Sequence, residues 1–100
     1  MAVNLNAQLD CNDINARSES LLLTVETEIT LYVTHNVGAD NHHEVTIEIS
    51  PDGGSTWVPV LGCIVGIGYM TVTAVATAAR IAVCKTEGVS SVVTAHLLAR

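Results

Sequence analysis

Apolar and polar residues alternate along several short stretches of the chain, and this two-residue period predicts β-strands. The side chains of a strand point to opposite faces in turn, so only every second one reaches a core. No stretch keeps a helical period of about 3.6 residues over several turns. The alternating or β-branched stretches are residues 3–9, 21–33, 44–49, 57–61, 69–75, 80–85 and 91–99.

Turn-forming residues separate these stretches, and their spacing predicts the fold class. Residues 36–43 form a loop by composition, and residues 21–33 allow either one long bulged strand or two strands with a tight turn. Several short strands at near-regular spacing are typical of antiparallel sandwiches. The sequence therefore predicts an all-β fold: a single antiparallel β-sandwich or jelly-roll-like domain with an extended N-terminal arm.

The strongest local signal is the segment Ser50–Trp57, which predicts a β-hairpin. It joins two strand-like stretches through Asp-Gly-Gly, and glycine tolerates the positive φ of tight turns. The carboxylate of Asp52 can accept hydrogen bonds from turn N–H groups, and Pro51 cannot donate to a sheet, so strand pairing should stop there. The residues predicted to build the hairpin are Ser50, Asp52, Gly53, Gly54, Thr56 and Trp57.

The length of 100 residues fits one domain with an N-terminal extension. We expect residues 1–20 to form an arm and a loop, and residues 21–100 to form the sandwich. Alternation places Val3, Leu5 and Leu9 on one face of residues 3–9, which predicts either a short strand or a docked arm. We take these three residues as the candidate interface, because an arm gains stability by burying apolar surface against a neighbour.

Composition suggests that part of the surface is covered by other subunits. Charged residues make up only 14% of the chain, against a usual share of about 25%. A small monomer needs a charged surface to stay dispersed. The formal charge is −6 with only four Lys and Arg residues, and phosphate binding needs clustered basic side chains. We therefore expect no nucleic acid partner and a homo-oligomer.

Residues 60–79 raise the alternative of a membrane span, because they form twenty residues without a charge. Three glycines interrupt this stretch, at positions 62, 66 and 68, and residues 69–75 alternate with a period near two. Flanking clusters of basic residues are missing. These features favour strands, and we expect no membrane partner.

The sequence predicts no catalytic, cofactor-binding or metal-binding residues. It contains no G-x-S-x-G, H-E-x-x-H or Walker lysine motif. Its three cysteines are widely spaced without a C-x-x-C pair, and no secretory signal opens the chain. We expect all three cysteines to be reduced and packed as small apolar groups.

Histidines and a carboxylate in one loop raise the possibility of a zinc site. His35, Asp40, His42 and His43 lie close together in sequence, but adjacent histidines of an extended chain point to opposite sides. We expect surface histidines here and no metal, although the sequence leaves the point open. His96 stands alone in an apolar strand, where a hydrogen-bonded core or interface residue is expected.

The segment Ser50–Trp57 fits the pattern S-x-D-x-G-x-T-W at every fixed position. It resembles the Asp-box, a hairpin turn of sialidases and other β-propeller proteins. A propeller needs several copies on a longer chain, and this chain has one. The resemblance therefore implies the turn alone.

The segment 45–57 is followed by a glycine-containing apolar stretch, by Ala79-Arg80-Ile81-Ala82-Val83 and by Val92-Val93-Thr94-Ala95. Together these resemble the small β-sandwich proteins of tailed bacteriophage particles, among them head decoration (cement) and tail-accessory proteins. The resemblance covers about residues 44–99. It implies a non-enzymatic, multi-copy protein of the virion, assembled in the host cytoplasm, whose partner is the major capsid protein or another virion protein. By analogy with cement proteins, we expect a homotrimer.

A carbohydrate- or receptor-binding module of a phage tail or fibre is the alternative function. Its candidate platforms are Tyr32, Trp57 and Tyr69, because sugar sites use exposed aromatic rings. Three aromatic residues in the whole chain give this alternative limited support.

Overall fold

The computed structural model of the chain describes residues 3–10, 14–36, 43–85 and 92–100, apart from the side chains of Asp10 and Lys85. These residues form nine β-strands and no helix. The strands are β1 (Val3–Asp10), β2 (Leu21–Leu22), β3 (Glu28–Asn36), β4 (Glu44–Ser50), β5 (Val58–Pro59), β6 (Ile64–Val65), β7 (Gly68–Thr73), β8 (Ala78–Lys85) and β9 (Val92–Ala99).

The strands form two antiparallel sheets, which confirms the all-β sandwich. One sheet has the order β1-β9-β3-β7, and the other has the order β2-β8-β4-β5, with β6 also paired to β4. Strands β5 and β6 pair with the two ends of β4 and together fill one strand position. Apart from β4–β5 and β5–β6, every connection crosses from one sheet to the other. This winding is that of a jelly roll.

The inner faces of the two sheets share one hydrophobic core. The four-stranded sheet contributes Ile29, Leu31 and Leu97, and the five-stranded sheet contributes Ile47 and Ile81, all fully buried. Branched aliphatic side chains fit this role because they pack well on a pleated surface. Outward-facing positions beside them include the polar residues Thr30, Thr46 and Glu48, as the two-residue period predicts, whereas Ala82 is apolar and buried.

The predicted N-terminal stretch is extended, but it is a strand of the chain's own sheet. β1 pairs with β9 over its whole length, from Val3 opposite Ala99 to Asp10 opposite Val92. The side chains of Val3 and Leu5 pack against the core, and Leu9 is buried in it. This face therefore packs against the chain's own core, and a contact of Val3, Leu5 and Leu9 with a neighbouring subunit stays a prediction. β1 also belongs to the sandwich, so residues 3–10 of the predicted arm form a strand of the same domain.

Residues 21–33 are two strands, as one interpretation allowed, but they lie in different sheets. β2 pairs with β8 and β3 pairs with β7 and β9, so the connection crosses the sandwich. The buried Glu26 shapes this connection by accepting a hydrogen bond from the backbone N–H of Thr24 at 3.0 Å.

The uncharged stretch 60–79 contains β6, β7 and the start of β8. Within the described ranges of the chain, no helix has the length and apolar character needed to cross a membrane. Of the three glycines that interrupt the stretch, Gly62 and Gly66 lie between strands and have positive φ, and Gly68 begins β7.

The docking of β1 predicts that Leu9→Ala lowers the free energy of unfolding by about 2–3 kcal/mol, because the substitution leaves a cavity in the core. Urea denaturation measures this value. Gln8→Ala is the matched control on the same strand, and its exposed side chain should contribute less than about 0.5 kcal/mol. Equal, small effects of both substitutions would contradict the docked strand.

Candidate functional site

The segment Ser50–Trp57 connects the antiparallel pair β4 and β5, and a dense hydrogen-bond network holds this turn. The hydroxyl of Ser50 accepts from the N–H groups of Asp52 at 3.3 Å and Gly54 at 2.8 Å. The same hydroxyl donates to the carboxylate of Asp52 at 2.8 Å, and that carboxylate accepts from the N–H of Thr56 at 2.8 Å. Gly53 and Gly54 have φ of 75° and 107°, so both need glycine's freedom.

Thr77 ties this turn to the β7–β8 connection. The N–H of Gly53 donates to the Thr77 hydroxyl at 2.7 Å. The hydroxyl and the N–H of Thr77 both donate to the carbonyl of Ser50, at 3.1 and 2.8 Å. The turn is therefore a structural element that joins two connections at one end of the sandwich.

Trp57 ends the turn half-buried, with one ring face covered by a cation. The guanidinium of Arg80 lies 4.1 Å from the ring centroid, a cation–π contact. The ring also packs beside Gly54, where an added Cβ would lie 3.5 Å from it. Arg80 therefore occupies one of the two ring faces of Trp57 on which a sugar could stack.

Arg80 continues into an ion-pair cluster on the outer face of the five-stranded sheet. Its Nε donates to the carboxylate of Glu48 at 2.8 Å, and the Nε of Arg17 donates to the same oxygen at 3.1 Å. Arg17 also donates to the carbonyls of Ile14, Ala16 and Val83. The Glu48 side chain is only 11% exposed, so this cluster fixes the segment before β2 to the sheet.

A group of exposed apolar side chains follows one edge of the five-stranded sheet. Leu61 is 99% exposed and Ile67 is 70% exposed, and Val58 and Val65 are about half exposed. We call these four residues the apolar edge. Val58 and Val65 lie in β5 and β6, on the side of β4 that faces away from β8. Leu61 and Ile67 lie in the connections that follow these two strands. A second exposed group, Leu22, Val25 and Val75, lies on or beside the β2–β3 and β7–β8 connections.

The outer face of the four-stranded sheet carries a row of polar and aromatic side chains, which we call the tyrosine row. Strand register aligns Asn6, His96, Tyr32 and Tyr69 across β1, β9, β3 and β7. The two tyrosine rings stack with centroids 5.8 Å apart, and Tyr69 is 72% exposed at the sheet edge. A ring nitrogen of His96 hydrogen-bonds to the Asn6 side-chain oxygen at 2.6 Å, so His96 is hydrogen-bonded on the outer face of the sheet and does not lie in the core.

The predicted histidine loop is only partly described. Asp40 and His42 lie outside the described residues, His35 is exposed and His43 is buried. The side chain of Asn36 donates to the His43 carbonyl at 2.7 Å, which fixes the backbone where β4 begins.

Two cysteines and a carboxylate meet on the outer face of the five-stranded sheet, and we call Glu44, Cys63 and Cys84 the thiol cluster. Their ligand atoms all lie within 4.8 Å of one another. The Cys63 thiol donates to the Glu44 carboxylate at 3.0 Å, and this hydrogen bond raises the pKa of Cys63 to about 11. Cys63 and Cys84 form no disulfide, but both are exposed, so the prediction that they pack as apolar core groups is wrong for these two; Cys11 lies outside the described residues.

Sequence reasoning missed the ion-pair cluster, the apolar edge and the thiol cluster. The alternation along residues 44–49 does place Glu44 and Glu48 on the same face of a strand, and this was the sequence signal for a shared polar surface there. The partners of these carboxylates come from positions about 20 to 40 residues away, and sequence spacing does not reveal such pairs.

Comparisons with models of protein families, with curated proteins and with solved structures gave no match to this chain. The resemblance to phage virion proteins therefore stays a prediction. The three exposed features can each do something different: the apolar edge can bury surface, the tyrosine row can stack and hydrogen-bond, and the thiol cluster can ligate an ion.

The turn predicts a pH dependence of stability. Hydrogen bonds from the side chain and the backbone N–H of Thr56, together with the Ser50 hydroxyl, lower the pKa of Asp52. A carboxylate with a lowered folded pKa stabilises the fold above its unfolded pKa of about 3.9 and loses that contribution as the pH falls through the folded pKa. We expect Asp52→Asn to reduce the loss of thermal stability between about pH 5 and pH 2, measured by circular dichroism.

Glu19→Gln is the control for this experiment, because it removes the same charge from an exposed position outside the turn. An acid dependence of Asp52→Asn equal to that of the wild type would show that the turn carboxylate adds nothing.

Proposed function

We propose that the chain is a non-enzymatic structural protein present in many copies in a virion, as a capsid decoration or cement protein. Its contacts with neighbouring subunits run through the apolar edge. The apolar edge is the observation that carries this proposal, because it offers large exposed side chains that the chain's own core leaves unused.

The energetics of the apolar edge favour a protein partner. Burying a Leu or Ile side chain contributes about 1.5–3 kcal/mol, so the four side chains together offer enough to offset part of the cost of association. Where exposed apolar side chains form a patch, they mark interaction sites in small domains. The partner in this proposal is another virion subunit, either a second copy of the chain or the major capsid protein, and a homotrimer is the expected assembly.

The backbone of the same edge disfavours pairing with strands of other molecules. β5 and β6 each contain two residues, and Pro59 in β5 has no N–H to donate. Short edge strands and proline discourage the edge-to-edge pairing that leads to fibres. Contacts at this edge are therefore made by side chains, which suits a closed and specific assembly.

The distribution of charge also supports a protein partner. Arg17 and Arg80 are paired with Glu48, and Arg100 is paired with Glu28. The three arginines are thus engaged with carboxylates of the chain itself, which leaves little cationic surface for phosphates.

The fold supports the proposal by analogy. Double-sheet jelly rolls occur in viral capsid domains and in lectins. Because one fold hosts many functions, this analogy ranks below the apolar edge as support.

We expect Leu61→Glu and Ile67→Glu to weaken self-association by at least about tenfold, because each places a charge in a contact that excludes water. Folding stability should change little, since both side chains are already exposed. Sedimentation velocity over a concentration series measures the association. Val75→Glu is the matched control, because Val75 is 90% exposed but lies outside the apolar edge.

A wild-type chain that stays monomeric at all concentrations would contradict self-association. Dissociation caused by Val75→Glu and not by Leu61→Glu would assign the contact to the other apolar group. Immunogold electron microscopy of particles from the source tests the virion role itself, and regular labelling of the particle surface is the expected result.

A second candidate function is carbohydrate or receptor binding at the tyrosine row. The exposed, stacked pair of Tyr32 and Tyr69 favours it, because aromatic rings beside amide and imidazole groups offer both stacking and hydrogen bonds. Trp57, with one ring face occupied by Arg80, lies outside the tyrosine row.

If the tyrosine row binds glycans, Tyr69→Ala should abolish binding on a glycan array, because it removes the most exposed ring. Thr73→Ala is the control, an exposed residue of the same strand outside the row. Binding that survives Tyr69→Ala, or a wild-type chain that binds no glycan, would remove this candidate.

A further inference from the structure

We propose that the thiol cluster of Glu44, Cys63 and Cys84 is a binding site for one thiophilic divalent cation of the zinc class. The two sulfur atoms and a carboxylate oxygen lie within 4.8 Å of one another, on residues from three different elements of the chain. The proposal does not depend on the virion role or on the apolar edge.

The spacing of the three donors fits a tetrahedral ion. Zinc binds sulfur at about 2.3 Å and carboxylate oxygen at about 2.0–2.2 Å, so two ligands of one ion lie roughly 3.5–3.8 Å apart. The sulfur of Cys63 lies 3.0 Å from the Glu44 oxygen, where its proton now bridges the two atoms. Replacing that proton by an ion requires the pair to separate by less than roughly 1 Å, which exposed side chains can do.

A β-bulge brings the second thiol to the site. Val45 pairs with Val83 and Glu44 pairs with Lys85, so Cys84 is the extra residue of β8 at this point. Bulges redirect side chains and are frequent next to functional sites. Here the bulge places the Cys84 sulfur beside Glu44, while Cys63 approaches the same carboxylate from the residue before β6.

An ion fits this arrangement better than a disulfide. Cys63 and Cys84 belong to segments on opposite sides of β4, and strands separated by one neighbour lie roughly 10 Å apart. A disulfide needs Cα atoms closer than about 7 Å, so it would require the backbone to move. The thiols instead converge on the carboxylate between them, which provides a third ligand.

The chemistry of the donors selects the class of ion. Thiolates favour zinc, cadmium and monovalent copper, whereas magnesium and calcium prefer oxygen ligands. Binding of a divalent ion releases one proton from each thiol to solvent, while the ionised carboxylate releases none. Two thiolates, one carboxylate and a divalent ion give a net charge of −1, with water in the fourth position. Affinity should therefore rise with pH.

Titration of the reduced, full-length chain with cadmium tests the site, because cadmium–thiolate bonds absorb in the ultraviolet. We expect one equivalent to bind, zinc to compete and magnesium not to compete. Cys63→Ser and Cys84→Ser should each weaken binding by at least about tenfold, and Glu44→Gln should weaken it less. Cys11→Ser is the matched control for binding by any thiol and should bind as the wild type does.

A second measurement uses the wild-type chain, so its result does not depend on whether the variants fold. Cadmium should protect Cys63 and Cys84, but not Cys11, from alkylation detected by mass spectrometry. The proposal is overturned if the wild type binds no cadmium, if a Cys63→Ser and Cys84→Ser double variant binds as the wild type does, or if Cys11 alone is protected.

Discussion

The structure depends on one constraint: two sheets must close their apolar faces on each other, because neither can bury its face alone. Ile29 and Leu31 on one side and Ile47 and Ile81 on the other are withdrawn from water completely. The winding of the chain, which crosses from sheet to sheet at most connections, makes each strand depend on strands distant in sequence. The outer faces of the two sheets are not bound by this constraint, and they differ. The five-stranded sheet carries the ion-pair cluster and the thiol cluster, and the four-stranded sheet carries the tyrosine row.

The polar interactions at one end of the sandwich hold this closed structure in register. Three hydrogen bonds of Thr77, two to the carbonyl of Ser50 and one from the N–H of Gly53, link the β4–β5 turn to the β7–β8 connection. Beyond the turn, the guanidinium of Arg80 lies between the ring of Trp57 and the carboxylate of Glu48. Removing the Glu48 carboxylate would leave the partly buried charges of Arg17 and Arg80 without this partner, which costs more than the contacts themselves contribute.

The sequence predicted what is local and failed where distant segments meet. The two-residue period located most strands, and Asp52-Gly53-Gly54 specified the hairpin, because turn chemistry acts over a few residues. The same period placed Val3, Leu5 and Leu9 on one face but could not say whether that face meets a neighbour or the chain's own core. Pairing of β1 with β9 joins opposite ends of the chain, and the bulge at Cys84 depends on strand register, so neither leaves a local signal.

The central claim is that the apolar edge is covered by companion subunits in the working assembly. Hydrogen–deuterium exchange of the chain at low and high concentration tests it most directly, since a covered edge protects its own amides. The account predicts that protection of residues 58–67 rises with concentration while residues 14–20 exchange at an unchanged rate. Exchange in residues 58–67 that does not depend on concentration, or protection that rises elsewhere, would contradict it.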